Sequence, residues 1–146
     1  MTDTTAAQAR HVYHEWDRCA RERDTEGLLD LYTPDAVLES PLIPVILDVP
    51  GGVLQGQAAL RHFFEEGGRR RPNPLVRWYR EPDRYGFDGS RLTWEYPRAA
   101  PDGDQIGLVE VMDLDAGRIR HHRIYWDWFG FGRLLESARK KWAPRS

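Results

Sequence analysis

The chain has 146 residues, 40% of them hydrophobic and 30% charged, and a formal net charge of −2. That length and balance fit one soluble domain, exclude two ordinary ones, and give no ground for a nucleic-acid or anionic-membrane partner. A single cysteine, Cys19, excludes an internal disulfide and fits a reducing compartment. With no internal repeat, no charged-then-apolar leader and no apolar run of membrane-spanning length, residues 1–146 are expected to form one soluble, cytoplasmic domain.

Residues 5–22, TAAQARHVYHEWDRCARE, carry Val12, Trp16, Cys19 and Ala20 at helical spacing. Asp24 is placed to cap a second short helix, TEGLLDLY, which Pro34 is expected to end. AVLES (36–40) has strand character, closed by Pro41. PLIPVILDVPGGVLQG (41–56) is a long apolar loop, and such loops serve either as pocket walls and lids or as satellite core. QAALRHFFEEGGRR reads as a third helix, and the arginines of GGRRRP sit at its end, where cations are favoured. The rest is strand-like: LVRWYRE, RYGFD, RLTWEYP, QIGLVEVMDL and RIRHHRIYWDW, with GFGRLLESARKKW as a closing helix. Helices first and an antiparallel meander afterwards predict an α+β fold, with helices on one face of a curved sheet.

Two turns predict the register. A two-residue turn on Asp102-Gly103 sets Glu95 opposite Glu110, and a turn on Ala116-Gly117 sets Glu110 opposite Arg123. One face then collects Thr93, Glu95, Leu108, Glu110, Met112, His121, Arg123, Tyr125 and Asp127. The other collects Leu92, Trp94, Tyr96, Val109, Val111, His122, Ile124, Trp126 and Trp128. Glu95, Glu110 and Arg123 form a row on the first face. In a buried pocket, such a row supplies a protonated acid and an ionised base; on an open face it is a solvated ion-pair ladder. Periodicity leaves both alternatives open.

RDTEGLLDLYTPDAVLESP, GQAALRHFF and the Gly-Arg-Ile that opens the last strand resemble the SnoaL-like branch of the nuclear transport factor two-like superfamily, over nearly the whole chain. The resemblance implies a cone-shaped α+β barrel: a bent antiparallel sheet wrapped around three helices of the N-terminal half, with a central pocket. Members include ketosteroid isomerases, limonene epoxide hydrolases, polyketide cyclases and non-catalytic binding proteins, so the fold alone does not give the function. GRIRHHRIYWD resembles the last strand of the epoxide hydrolases, which implies Asp127 as the water-activating base and Glu95 as the second carboxylate. The pattern departs from theirs at Thr93, where they carry Arg, and at Val37 and Glu39, where they carry Tyr and Asn. The isomerase base falls on Ser40, and its oxyanion-hole groups fall on Trp16 and on or beside Val109, so that mechanism does not transfer.

The resulting expectation is cofactor-free acid/base chemistry on a small, mostly apolar molecule. Asp127 is the base, Glu95 or Glu110 the acid, Arg123 the charge-balancing partner and Tyr125 an orienting hydroxyl. Trp16, Thr93, Leu108, Met112, His121 and Phe63 are expected to line the pocket. No metal is expected: His121 and His122 point to opposite faces of a strand, and His11 and His14 have no evident third ligand. No phosphate loop or nucleophile elbow is present. Trp94, Val109, Val111, Ile124, Trp126 and Trp128 would form an apolar convex face through which two copies pair. Two other readings of the same fold stay open: a ligand-binding module without chemistry, and a scaffold whose pocket is plugged by Trp16, Phe63, Phe64 and the 42–55 loop.

Overall fold

The structure, a computed structural model, describes residues 2–70, 81–96, 107–132 and 135–136. Helix α1 (Ala6–Glu22) starts where Thr5 accepts from the Gln8 amide while Gln8 reaches back, a capping box. Asp24 caps α2 (Thr25–Asp30) by accepting from the Gly27 amide at 2.9 Å. The second helix stops earlier than Pro34 requires, and β1 (Tyr32–Glu39) takes over at Tyr32. Pro34 lies inside β1, in the stretch between Tyr32 and Val37 where pairing slips and its missing N–H is not needed.

The apolar loop after Pro41 is partly ordered into helix α3 (Leu42–Leu47) and strand β2 (Val53–Gln55). Ile43 and Ile46 of α3 are buried. Helix α4 (Gln57–Arg70) follows and buries Leu60 and Phe63. Strands β3 (Gly86–Phe87), β4 (Arg91–Glu95), β5 (Leu108–Asp115) and β6 (Arg118–Trp126) form the antiparallel meander. LVRWYRE, apart from Glu81, the Asp102-Gly103 turn and most of the closing helix lie outside the described residues; 128–132 and 135–136 are helical.

Among the described residues the sheet has six strands in the order β2-β1-β6-β5-β4-β3. It is bent and stays open, so it is not a closed barrel. It is also not wholly antiparallel, because β1 joins β6 in parallel. No helix among the described residues is long and apolar enough to cross a membrane.

Two register differences decide what the sheet faces. Glu95 pairs with Val109 and Trp94 with Glu110, one residue away from the pairing a two-residue Asp102-Gly103 turn dictates. The β5–β6 hairpin does turn on Ala116 and Gly117, both at positive φ (50° and 81°), and Asp115 pairs with Arg118 as expected. One step further, Leu114 pairs with Ile119 but Asp113 pairs with His121, leaving Arg120 as a β-bulge. Every β6 residue beyond it is thrown to the other face.

The inner face therefore carries Leu92, Trp94 and Tyr96 of β4 and its flank, Leu108, Glu110, Met112 and Leu114 of β5, and His122 of β6, all buried. They pack with Ala9, Val12 and Tyr13 of α1 and Leu60 and Phe63 of α4 into one core. Of the residues expected on a convex apolar face, Trp94, Ile124 and Trp126 belong instead to this core or pack against it. Val109 and Val111 remain outside, and Trp128, in the helical segment after β6, is 94% exposed.

Candidate functional site

A cavity of about 150 Å³ opens between the inner sheet face and the helices. Leu38, Leu108, Ile124 and Trp126 form its sheet wall, and Leu42 and Ile46 of α3 with Phe63 and Phe64 of α4 form the opposite one. The 41–56 segment thus contributes both a cavity wall and buried core. Trp16 and Ala20 of α1 and Leu28 of α2 complete the apolar lining. Charged residues enter at two places: Asp17, Arg21 and Arg23 around the end of α1, and Glu110 on the sheet, beside His122 and Tyr96.

Glu110 is 1% exposed and His122 is fully buried. His122 Nε2 lies 3.0 Å from Glu110 Oε1, and the Tyr96 hydroxyl donates to Glu110 Oε2 at 2.9 Å. Behind them, the Tyr32 hydroxyl lies 2.8 Å from His122 Nδ1, and Trp16 Nε1 donates to the Tyr32 oxygen at 3.0 Å. Register makes this line: Glu110 stands opposite Ile124 and diagonal to His122, and His122 lies opposite Leu38 on β1.

The donors assign the protons. An indole N–H can only donate, so the Tyr32 oxygen accepts from Trp16. Tyr32 then uses its own proton on His122 Nδ1, which leaves Nε2 as the protonated nitrogen, donating to Glu110. Tyr96 donates from the other side, so every hydrogen bond of the line points toward the Glu110 carboxylate. Burial pushes the Tyr32 phenol far above its ordinary range, so it stays neutral and acts as a fixed donor. No arginine among the described residues meets Glu110. An isolated buried carboxylate is costly, and here two neutral donors replace water.

Of the residues expected at the site, Glu110, Trp16, Leu108 and Phe63 line the cavity. Met112 is fully buried in the core and does not line it. The others are corrected by the register. Thr93 and Glu95 lie on the outer face, opposite Val111 and Val109. Arg123 also faces outward and donates to Asp113 at 2.9 Å. Tyr125 is 56% exposed, and His121 is bonded to Glu39 on the outer face. Asp127 follows β6, is exposed, and caps the next helical segment by accepting from the Gly130 amide.

The sequence reading missed His122, Tyr96 and Tyr32. A signal for them exists: the apolar residues of β6 change parity between Ile119 and Ile124, which one bulge explains. Likewise β4 alternates Leu92, Trp94 and Tyr96 against Arg91, Thr93 and Glu95, the pattern of an apolar face turned inward. Among the described residues no group of three or more His, Cys, Asp or Glu is placed to hold a metal.

Residues 9–122 match the SnoaL-like domain family. No curated protein matches the chain in sequence. Among solved structures, an NTF2-like protein of unknown function from Burkholderia pseudomallei shares 19% identity over 88% of this chain and 97% of its own, with a TM-score of 0.65. An LEH-like epoxide hydrolase from M. tuberculosis shares 18% identity over 90% of this chain and 92% of its own, TM-score 0.63. The epoxide hydrolase/cyclase-like enzyme SalBIII, which acts in pyran ring formation in salinomycin, shares 23% identity over 84% of this chain and 92% of its own, TM-score 0.57. At these identities the likeness is one of fold.

Proposed function

The chain belongs to the SnoaL-like domain family, and on that premise we propose that it is an enzyme moving a proton on a small, mostly apolar organic molecule, with Glu110 as the base. The carrying observation is a nearly fully buried carboxylate, met by His122 and Tyr96 and by no arginine among the described residues, set in the wall of a mostly apolar cavity. Glu110 keeps lone pairs that neither neighbour uses, and it is the carboxylate beside His122 to which a substrate C–H or O–H can lose its proton. Tyr96 orients the carboxylate, and His122 holds it from the other oxygen.

The second carboxylate on the cavity lining, Asp17, is engaged by Arg21 at 3.0 Å at the end of α1. That favours one carboxylate taking and returning a proton, as in double-bond isomerisation or aldol-type cyclisation, over a mechanism with two neighbouring carboxylates. The cavity is of the size that accepts a benzene-sized body.

The test needs no prior substrate. Small ketones with acidic α-protons are incubated with the protein in D₂O, and deuterium uptake is followed by NMR. Glu110→Gln keeps the shape and is expected to lower exchange about 10²–10⁴-fold, the usual share of a general base. Ligand binding with equal exchange in wild type and variant would instead mark the cavity as a carrier or sensor site.

A further inference from the structure

The cavity has a polar group at each of two places, and the one at its mouth has no role in the proton chemistry above. Arg23 is the C-cap of α1 and lines the cavity. Its backbone is left-handed, φ 58° and ψ 39°, a conformation that glycine takes without strain and arginine does not. Its stem lies across α4 at Gly68, where an added Cβ would stand 3.8 Å from Arg23 Cδ.

The neighbouring arginines show how unusual its guanidinium is. Arg10, Arg18 and Arg21 on α1 and Arg61, Arg69 and Arg70 on α4 each have a carboxylate partner. Arg23 has none among the described residues. The two other charged side chains of the mouth among the described residues, Asp17 and Arg21, lie 3.0 Å from each other. Arg23 thus offers the mouth a guanidinium that no carboxylate among the described residues engages, while the sheet wall carries the Glu110 carboxylate.

We propose that Arg23 recognises a carboxylate on the ligand, and that the substrate is a small apolar acid bound with its carboxylate at the mouth and its apolar body toward Glu110. The orientation follows from charge: an anionic group is drawn to Arg23 and repelled by Glu110. A planar guanidinium meets a carboxylate through two parallel hydrogen bonds, which fixes direction as well as affinity. The inference rests on the reading of this cavity as the small-molecule site, but not on Glu110 being a base.

The experiment compares 3-phenylpropanoate with its neutral isostere 3-phenylpropanamide by calorimetric titration. Wild type is expected to bind the acid at least about tenfold tighter, the usual worth of a charge-assisted hydrogen bond. Arg23→Gln is expected to bring the two affinities together, and Arg23→Lys to keep part of the preference. Arg23→Gly, which relieves the left-handed backbone, is expected to melt no lower than wild type while losing the preference. Glu110→Gln is expected to keep the preference, so loss of proton transfer and loss of anion recognition are read separately. Equal affinities in wild type, binding of neither probe, or a preference surviving in Arg23→Gln would overturn the proposal.

Discussion

The two faces of the β5–β6 hairpin hold similar chemistry in opposite states. On the outer face, Asp113 takes hydrogen bonds from Arg123 at 2.9 Å and Arg91 at 2.8 Å, and Glu39 meets His121 beside them. Partial burial would raise the Asp113 carboxyl, but the two arginines outweigh it and hold the group below its ordinary range. On the inner face, Glu110 is nearly fully buried and has a histidine and a tyrosine but, among the described residues, no arginine. An ion pair with arginine favours the charged form of a carboxylate. Glu110 has no such counter-ion among the described residues and is held by a histidine and a phenol instead. The difference teaches that the arginine-rich row marks the outer face here.

The contrast can be broken most severely at Arg120. Deleting this bulge residue would restore simple alternation and send His122, Ile124 and Trp126 outward, so the variant is expected to lose cooperative folding by circular dichroism. Arg120→Ala keeps the bulge and the exposed position, and its melting curve is expected to shift by about 0.5 kcal/mol or less. His122→Ala would take one of the two donors from the Glu110 carboxylate and is expected to destabilise by about 1.5–3 kcal/mol in urea titration. Asp113→Ala, on the outer face, is expected to remove about 1 kcal/mol or less.

Smaller effects sharpen the comparison. Tyr32→Phe leaves the Trp16 N–H and His122 Nδ1 without their partner, so a loss of about 1–3 kcal/mol is expected. The ¹⁵N shifts of His122 in that variant are expected to show the Nε2–H tautomer less firmly held. For Asp113, the folded pKa lies below the ordinary 3.8, so its stabilisation is fully present above the unfolded value. It is lost as pH falls through the lower folded value, and Asp113→Asn is expected to flatten that acid limb of a urea-midpoint profile. Raising salt is expected to weaken the outer network slightly and leave the buried line unchanged.

Much of the scaffold was legible in local sequence. The Asp24 cap, the span of α4 and the turn at Ala116-Gly117 all rest on short-range chemistry, and the structure carries them as read. Glu110 was picked out as a site residue, and β5 keeps the face assigned to it. Its partners were not, because Glu95 and Arg123 reach its side only in a register that the molecule does not adopt.

By itself, then, the sequence determined the α+β class, the family resemblance and Glu110 as a candidate site residue, since capping, turn propensity and hydrophobic periodicity act within a few residues. Which side chains surround that carboxylate was decided by tertiary structure. A strand alternates with period two, so one bulge at Arg120 and a one-residue offset between β4 and β5 exchanged a row of arginine and glutamate for His122, Tyr96 and Tyr32. Those offsets are set by how the faces pack against α1 and α4, where burying Trp94, Tyr96 and Ile124 outweighs the local preference for regular pairing.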